Sequence, residues 1–210
     1  SLLPVVLLSI CLDAASAVER PGVDAAKLFA RAVAVGTAGD HSLARSHLDP
    51  VLLSPRVSRG ARARAYYLRG LLFYRDGAFV SAGQDYRRAL EFQPTLAEAR
   101  TALAWLHLNG LGVDADPRRA ERLYRLAARQ GHIDAQYNLA LLLAKGEAVR
   151  RREREAIAWF ERAAEGDHLE AAAFAGQLLA RRAADGGTDD DTDGDTDDDG
   201  RAEARTRARH

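Results

Sequence analysis

Methionine is missing from all 210 residues, position 1 included, and cysteine occurs once, at Cys11. A single thiol cannot build a disulfide framework, and no Cys/His spacing of a zinc site is present. Aromatic residues make up only 7% of the chain, and no dense basic stripe carries them, which argues against a nucleic-acid surface. Neither a Gly-rich phosphate loop nor a nucleophile elbow occurs. The longest apolar run, Leu2 to Leu12, is too short to span a bilayer comfortably, so no stable membrane span is expected. No initiator methionine precedes it, which points to a processed or incomplete amino terminus.

What the chain does have is alanine, leucine and charge. With 47% hydrophobic and 29% charged residues it can bury a real core, and one elongated domain with tails is the natural expectation. The formal net charge is zero but segregated: residues 1–184 hold 26 Lys and Arg against 20 Asp and Glu, whereas residues 185–210 hold 4 against 10.

The central feature is a repeat. Ala99, Leu103, Leu106, Gly110, Val113, Ala120, Ala127, Ala128 and His132 recur as Ala135, Leu139, Leu142, Gly146, Val149, Ala156, Ala163, Ala164 and His168, each 36 positions later. A unit of this length cannot bury its own apolar face, so it stacks on its neighbours and the core becomes a row of shared interfaces. Within the first unit, apolar residues at helical spacing run from Ala99 to Leu108 and stop at Asn109-Gly110. Asp116-Pro117 then restarts a helix, Asp as N-cap and Pro where its missing N–H costs nothing. The second helix closes at Gln130-Gly131.

These two units resemble the Sel1-like repeat, a subfamily of tetratricopeptide-type solenoids. The first meets its motif at Ala99, Leu103, Gly110, Gly112, Val113, Asp116, Ala120, Tyr124, Ala127, Ala128 and Gly131. The second matches at Ala135, Leu139, Gly146, Val149, Ala156, Trp159, Phe160, Ala163 and Ala164, with two departures in its turns. Ala148 replaces the loop glycine, and Gly166 sits one position early, leaving Asp167 at the turn. The resemblance implies an all-α, right-handed α-solenoid.

Other segments follow the same plan. Residues 24–54 read as a degenerate helix pair, Ala25 to Val35 and Ser42 to Leu53, the second kinked or shortened by Pro50. Residues 63–96 match the ordinary tetratricopeptide motif at Gly70, Gly77, Phe79, Ala82, Tyr86, Ala89, Leu90 and Pro94, with helices at about Arg62 to Arg75 and Phe79 to Phe92. Residues 97–132 and 133–168 are the Sel1-like units. Residues 169–184 predict a capping helix, apolar toward the last unit and more polar outside. Residues 1–17, an apolar run followed by Ala15-Ser16-Ala17, read as the remnant of a secretory signal peptide, which places the protein in the periplasm or outside the cell. Cleavage after Ala17 would remove the lone cysteine.

Beyond Ala184 the Asp-, Thr- and Gly-rich tail has no bulky residue to bury and is expected to be disordered. Asp189 to Gly194 and Asp195 to Gly200 each spell D-x-D-x-D-G, the opening of a calcium loop, but Gly200 and Thr206 stand where a bidentate Glu belongs. A solvated acidic tail is the favoured reading, weak calcium binding the alternative. His132 and His168 occupy equivalent inter-repeat turns about one helix-packing distance of 10 Å apart, too far to share an ion. They read as surface turn histidines, and no cofactor or metal is expected.

In solenoids of this resemblance the first helix of each pair lines the concave face. The positions so placed are Arg64, Tyr67, Leu71 and Tyr74, then Glu98, Thr101, Trp105 and Asn109, then Asp134, Tyr137 and Leu141, and last Gln177. The Lys and Asn clamp of chaperone adaptors is absent, because Tyr67 and Leu71 occupy two of its places. Interfaces favour aromatics, and Trp105 is the expected anchor, although Tyr137 fits repeat packing equally well. The implied function is a scaffold that binds a peptide or protein partner in the cell envelope. The alternative is a secreted Sel1-repeat hydrolase of the β-lactamase-like kind, disfavoured because that group has paired cysteines and this chain has none.

Overall fold

Helices start here where a short polar side chain can take up a free backbone N–H, and end where glycine can turn left-handed. In the computed structural model, which describes residues 24–184, Asp24, Asp40, Ser58 and Asp116 each accept from the N–H three residues on, at 2.9–3.1 Å. Gly110 and Gly146 close two helices with φ of 65° and 66°. The described residues form nine helices and no strand: α1 (Ala25–Thr37), α2 (His41–Leu53), α3 (Arg59–Arg75), α4 (Phe79–Phe92), α5 (Ala97–Asn109), α6 (Pro117–Ala128), α7 (Ile133–Lys145), α8 (Glu153–Glu165) and α9 (Leu169–Ala184). The expectations for residues 1–17 and 185–210, including the calcium-loop reading, lie outside the described residues.

Each helix packs on its neighbours in the chain, giving four antiparallel pairs, α1/α2 to α7/α8, and a single closing helix, α9. First helices of successive pairs also touch, α1 with α3 and α5 with α7, which sets them on the inner side of the α-solenoid. The core has three parts. One lies among α1, α2 and α3 around Phe29, Leu48 and Leu68; one joins α3, α4 and α5 around Tyr86 and Leu106; one runs from α5 to α9 around Tyr124, Leu139 and Phe160. Leu71 borders the first two parts and Leu123 the last two, so these leucines carry continuity along the array.

Two close approaches set the packing of α4. A Cβ on Gly70 would lie 2.7 Å from the Tyr86 ring, so only glycine lets α3 and α4 meet there. Gly112, at φ 65°, brings the α5–α6 loop onto the backbone of Phe79 and Val80, where a Cβ would lie 2.4 Å away. In the next unit the equivalent Ala148 avoids the left-handed region, so that loop takes a different path. Its closure is nonetheless repeated: Arg152 N–H donates to the Leu143 carbonyl at 3.0 Å, as Asp116 N–H does to that of His107 at 2.9 Å.

On the opposite side from the first helices, charges fix the register between repeats. Arg125 and Glu121 of α6 meet Glu155 of α8 and Arg152 just before it. Arg152 reaches Glu121 at 2.7 Å and Glu155 at 3.3 Å, and the Trp159 indole donates to Glu155 at 3.1 Å. Burial raises the Glu155 carboxyl, but Arg125, Trp159 and Arg152 outweigh it and hold the group below the usual range.

Three expectations need correction. Pro50 does not shorten α2, which continues to Leu53; the residue sits in the last turn, and Ser54 N–H still bonds its carbonyl at 3.2 Å. Helix α3 begins at Arg59 and not near Arg62, because Ser58 caps it. Finally, the outer side of α9 is mixed and not simply polar: Glu170, Gln177 and Arg181 are exposed there as expected, but so are Leu169 at 89% and Leu179 at 47%.

Candidate functional site

The face lined by the first helices is built by the repeat period. A shift of 36 residues carries Glu98, Thr101 and Trp105 onto Asp134, Tyr137 and Leu141. The same shift carries Asp134 to Glu170 and Leu141 to Gln177. One edge is therefore acidic, with Glu98, Asp134 and Glu170 in the first turns of α5, α7 and α9, where the positive end of the helix dipole favours carboxylates. The other edge, at the ends of α7 and α9, carries Lys145 and Arg181.

Between these edges the expected contact residues separate into several environments. Trp105 is 41% exposed, outside every core cluster, and its Nε1–H donates to the Tyr74 hydroxyl at 2.9 Å. Tyr74 packs edge-on against Phe79, 5.4 Å between centroids, so a residue of α3 positions the indole of α5. Asn109 is exposed but turns its amide back to the Trp105 carbonyl at 2.8 Å. Arg64, Leu71, Glu98 and Asp134 are half-buried, and Gln177 is exposed.

Tyr67 does not belong to the surface. It is 5% exposed and packs on Tyr86, 6.0 Å between ring centroids, so it is a core residue. Burial, then Glu98 and Asp134, push its hydroxyl well above the usual tyrosine range. Thr101 is half-buried too, its hydroxyl donating to the Ala97 carbonyl at 2.8 Å. Leu141 packs against the carboxy-terminal core part. Tyr137 stacks on His168, 4.0 Å between centroids, meets Phe160 and Phe174 edge-on, and its hydroxyl lies 3.2 Å from a Glu170 carboxylate oxygen.

The two turn histidines are structural parts of the repeat and not free surface groups. His132 caps α7, its Nδ1 accepting from Ala135 N–H at 3.2 Å and lying 3.3 Å from the Thr101 hydroxyl. Burial lowers its pKa, against the opposing pull of Asp134 and Glu98. Among the described residues, no three His, Cys, Asp or Glu side chains gather as a metal site would require.

Sequence reasoning missed the basic edge and the cleft beside it. Leu141, Phe160, Phe174 and Leu178 line a cavity of about 400 Å³ between α7, α8 and α9. The signal was available: the repeat period that links Trp105 to Leu141 also links Asn109 to Lys145 and Arg181.

Comparison with known proteins places this geometry. The Sel1 repeat family model matches residues 63–92, 97–132 and 133–168. A stretch of 123 residues, 58% of the chain, is 30% identical to chitin synthase regulatory factor 3 of Schizosaccharomyces pombe, of which the chain spans only 12%. Among solved structures, a Sel1 repeat protein from Oxalobacter formigenes superposes with a TM-score of 0.59 at 26% identity, over 75% of this chain and 60% of that one. A protective antigen of uropathogenic Escherichia coli with an SLR fold shares the fold, with a TM-score of 0.54 at 20% identity over 76% of this chain and 37% of its own. With the repeat period, the paired helices and the family match in agreement, the chain belongs to the Sel1-like repeat family.

Proposed function

We propose that the protein is a non-catalytic scaffold that holds a segment of a protein partner along the face lined by its first helices. The observation that carries this reading is Trp105, a large side chain exposed in mid-array and fixed in place by its bond to Tyr74. An aromatic group that is already ordered loses little conformational entropy on binding, which is why such residues dominate interface energetics. The regulatory role in the fungal relative's name supports a scaffold over an enzyme. The apolar amino-terminal run supports a location in the cell envelope.

The test is capture of partners from the native host by immobilised wild type and Trp105→Ala, followed by titration of the captured partner. Affinity should fall at least about tenfold, which is roughly 1.4 kcal/mol. Unchanged affinity in a variant that keeps its helical content would remove Trp105, and with it the mid-array part of this face, from the reading.

A further inference from the structure

We propose that the cleft between α7, α8 and α9 is a specificity pocket for a partner segment in which a bulky apolar residue is flanked by carboxylates. This rests on the scaffold reading and adds to it the chemistry of the occupant.

The floor of the cleft sets the apolar requirement. Phe160 is fully buried and stacks on Phe174 with centroids 5.5 Å apart and planes 13° from parallel. Phe174, 37% exposed, lines the cleft with Leu141 and Leu178. At about 400 Å³ the cavity falls within the size range of ligand pockets, large enough for a leucine or phenylalanine side chain with its neighbouring backbone. Filling it would cover the edge of an aromatic stack that the fold leaves open.

The rim sets the charge requirement. Lys145 ends α7, Arg151 sits in the loop after it and Arg181 lies in the last turn of α9; all three line the cleft. Arg151 and Arg181 both bond one carboxylate oxygen, Glu153 Oε1, Arg181 at 2.5 Å. Lys145 has no ion-pair partner among the described residues. Among the described residues three cations therefore share one carboxylate, which leaves an excess of two positive charges in the lining of an apolar cleft. Lysine and arginine segments are repelled there, and an uncharged apolar segment leaves the rim charges to water. A segment with Asp or Glu on either side of a large apolar residue satisfies both parts. The Asp-rich stretch 189–199 of this chain carries the charge without a bulky apolar residue, so it matches the rim and not the floor.

The test uses the full chain and three fluorescein-labelled hexapeptides measured by anisotropy at 0.15 M salt: Asp-Asp-Leu-Phe-Asp-Asp, Asp-Asp-Ala-Ala-Asp-Asp and Lys-Lys-Leu-Phe-Lys-Lys. The first should bind at least tenfold more tightly than the second, and the third should not bind. Lys145→Glu, a change at an exposed side chain, should weaken the first peptide several-fold, and Lys145→Glu with Arg181→Glu at least tenfold. Phe174→Ala should narrow the gap between the first two peptides, while Trp105→Ala should leave it as it is. Equal binding of the leucine–phenylalanine and alanine peptides, or indifference to the charge reversals in protein of unchanged helical content, overturns the proposal. If host-partner capture depends on Trp105 but no peptide binds, this pocket fails and the scaffold reading stands. If the peptide binds as expected and Trp105→Ala leaves partner capture intact, the pocket stands and the assignment to the Trp105 face fails.

Discussion

Asp167 holds the left-handed backbone position that Gly131 fills one repeat earlier, with φ of 67° against 85°. It is the one non-glycine residue at positive φ among those described. The glycine next to it, Gly166, is crowded for another reason: a Cβ there would lie 2.8 Å from the Ile133 side chain, which would have to move aside. Left-handed backbone costs an L-residue roughly 1–2 kcal/mol, less for Asp, and glycine gives part of that back through a more disordered unfolded state. Asp167→Gly should stabilise the fold by up to about 1 kcal/mol, and Asp167→Val should destabilise it. Urea titrations of both variants check this, and a less stable glycine variant would contradict it.

Gly112 and Ala148 are equivalent in sequence and unequal in space. Gly112→Ala must pay for a strained φ and for contact with the backbone of Phe79 and Val80, which cannot move aside as a side chain can. The loss should reach about 3 kcal/mol, the sum of a left-handed residue and overpacking. Ala148→Gly, at an exposed site, should change stability by less than about 1 kcal/mol. Thermal melts of the pair distinguish a contact-limited loop from one that is merely short.

Tyr74→Phe removes only the hydroxyl that accepts the Trp105 N–H. A hydrogen bond between half-exposed groups contributes about 1 kcal/mol or less to folding, so the melt should barely move. Partner affinity should fall a few-fold, because the indole loses its fixed orientation while remaining on the surface. Titration of Tyr74→Phe beside Trp105→Ala measures how much of the anchor's effect comes from that orientation. An affinity equal to wild type would mean that the bond does not position the indole for binding.

His107 stands where the next repeat has Leu143, and it is 4% exposed. Its Nδ1 lies 3.2 Å from the Asp114 carbonyl, and its Nε2 is buried without a partner. Burial lowers its pKa, helped by Arg119 of α6 and Arg87 of α4 and opposed by the Asp114 carbonyl and Asp116. A base with a depressed folded pKa binds fewer protons folded than unfolded, so stability falls as pH drops below the unfolded value of about 6.5 and levels off beneath the folded one. His107→Leu should lose less stability than wild type between pH 7.5 and pH 5.5 in urea titrations. His132, also depressed, leaves part of the dependence in place. An identical loss in both proteins would clear His107 of the effect.

Arg125→Met should cost about 2 kcal/mol or more, since it leaves two carboxylates, Glu121 and Glu155, facing the single cation Arg152 and the Trp159 N–H in a half-buried cluster. The Glu155 carboxyl, held below its usual range, contributes stability that is present above the unfolded carboxylate pKa and is lost as pH falls through the folded value. That acid-side loss should shrink in Arg125→Met, as urea titrations at pH 7 and pH 4 would register. A variant with wild-type stability at both pH values would mean the network sets register without stabilising the fold.

The solenoid was legible because a period of 36 residues leaves the same helix-packing alanines, leucines and turn glycines in each unit. Even the limits of α4, Phe79 and Phe92, follow from the motif. The contact face was legible only as a set of positions. Periodicity says which side of a helix a residue occupies and not how deep it sits. Tyr67 is buried against Tyr86 while Trp105, of the same class of position, is exposed. The His132 cap and the half-buried network around Arg125 depend on contacts 30 or more residues apart in part, and no local pattern announces them.

The three-part core, joined at Leu71 and Leu123, also bears on how the protein yields under load. Because each part is bounded by its neighbours along one axis only, tension on the two chain ends would reach them in series, and the molecule should lengthen in steps, one block of helices at a time. Leu71→Ala and Leu123→Ala weaken the couplings between blocks more than the blocks themselves. In an optical-trap extension each substitution should widen the force gap between the steps on either side of it, so that two leucines tune the mechanical cooperativity of the array.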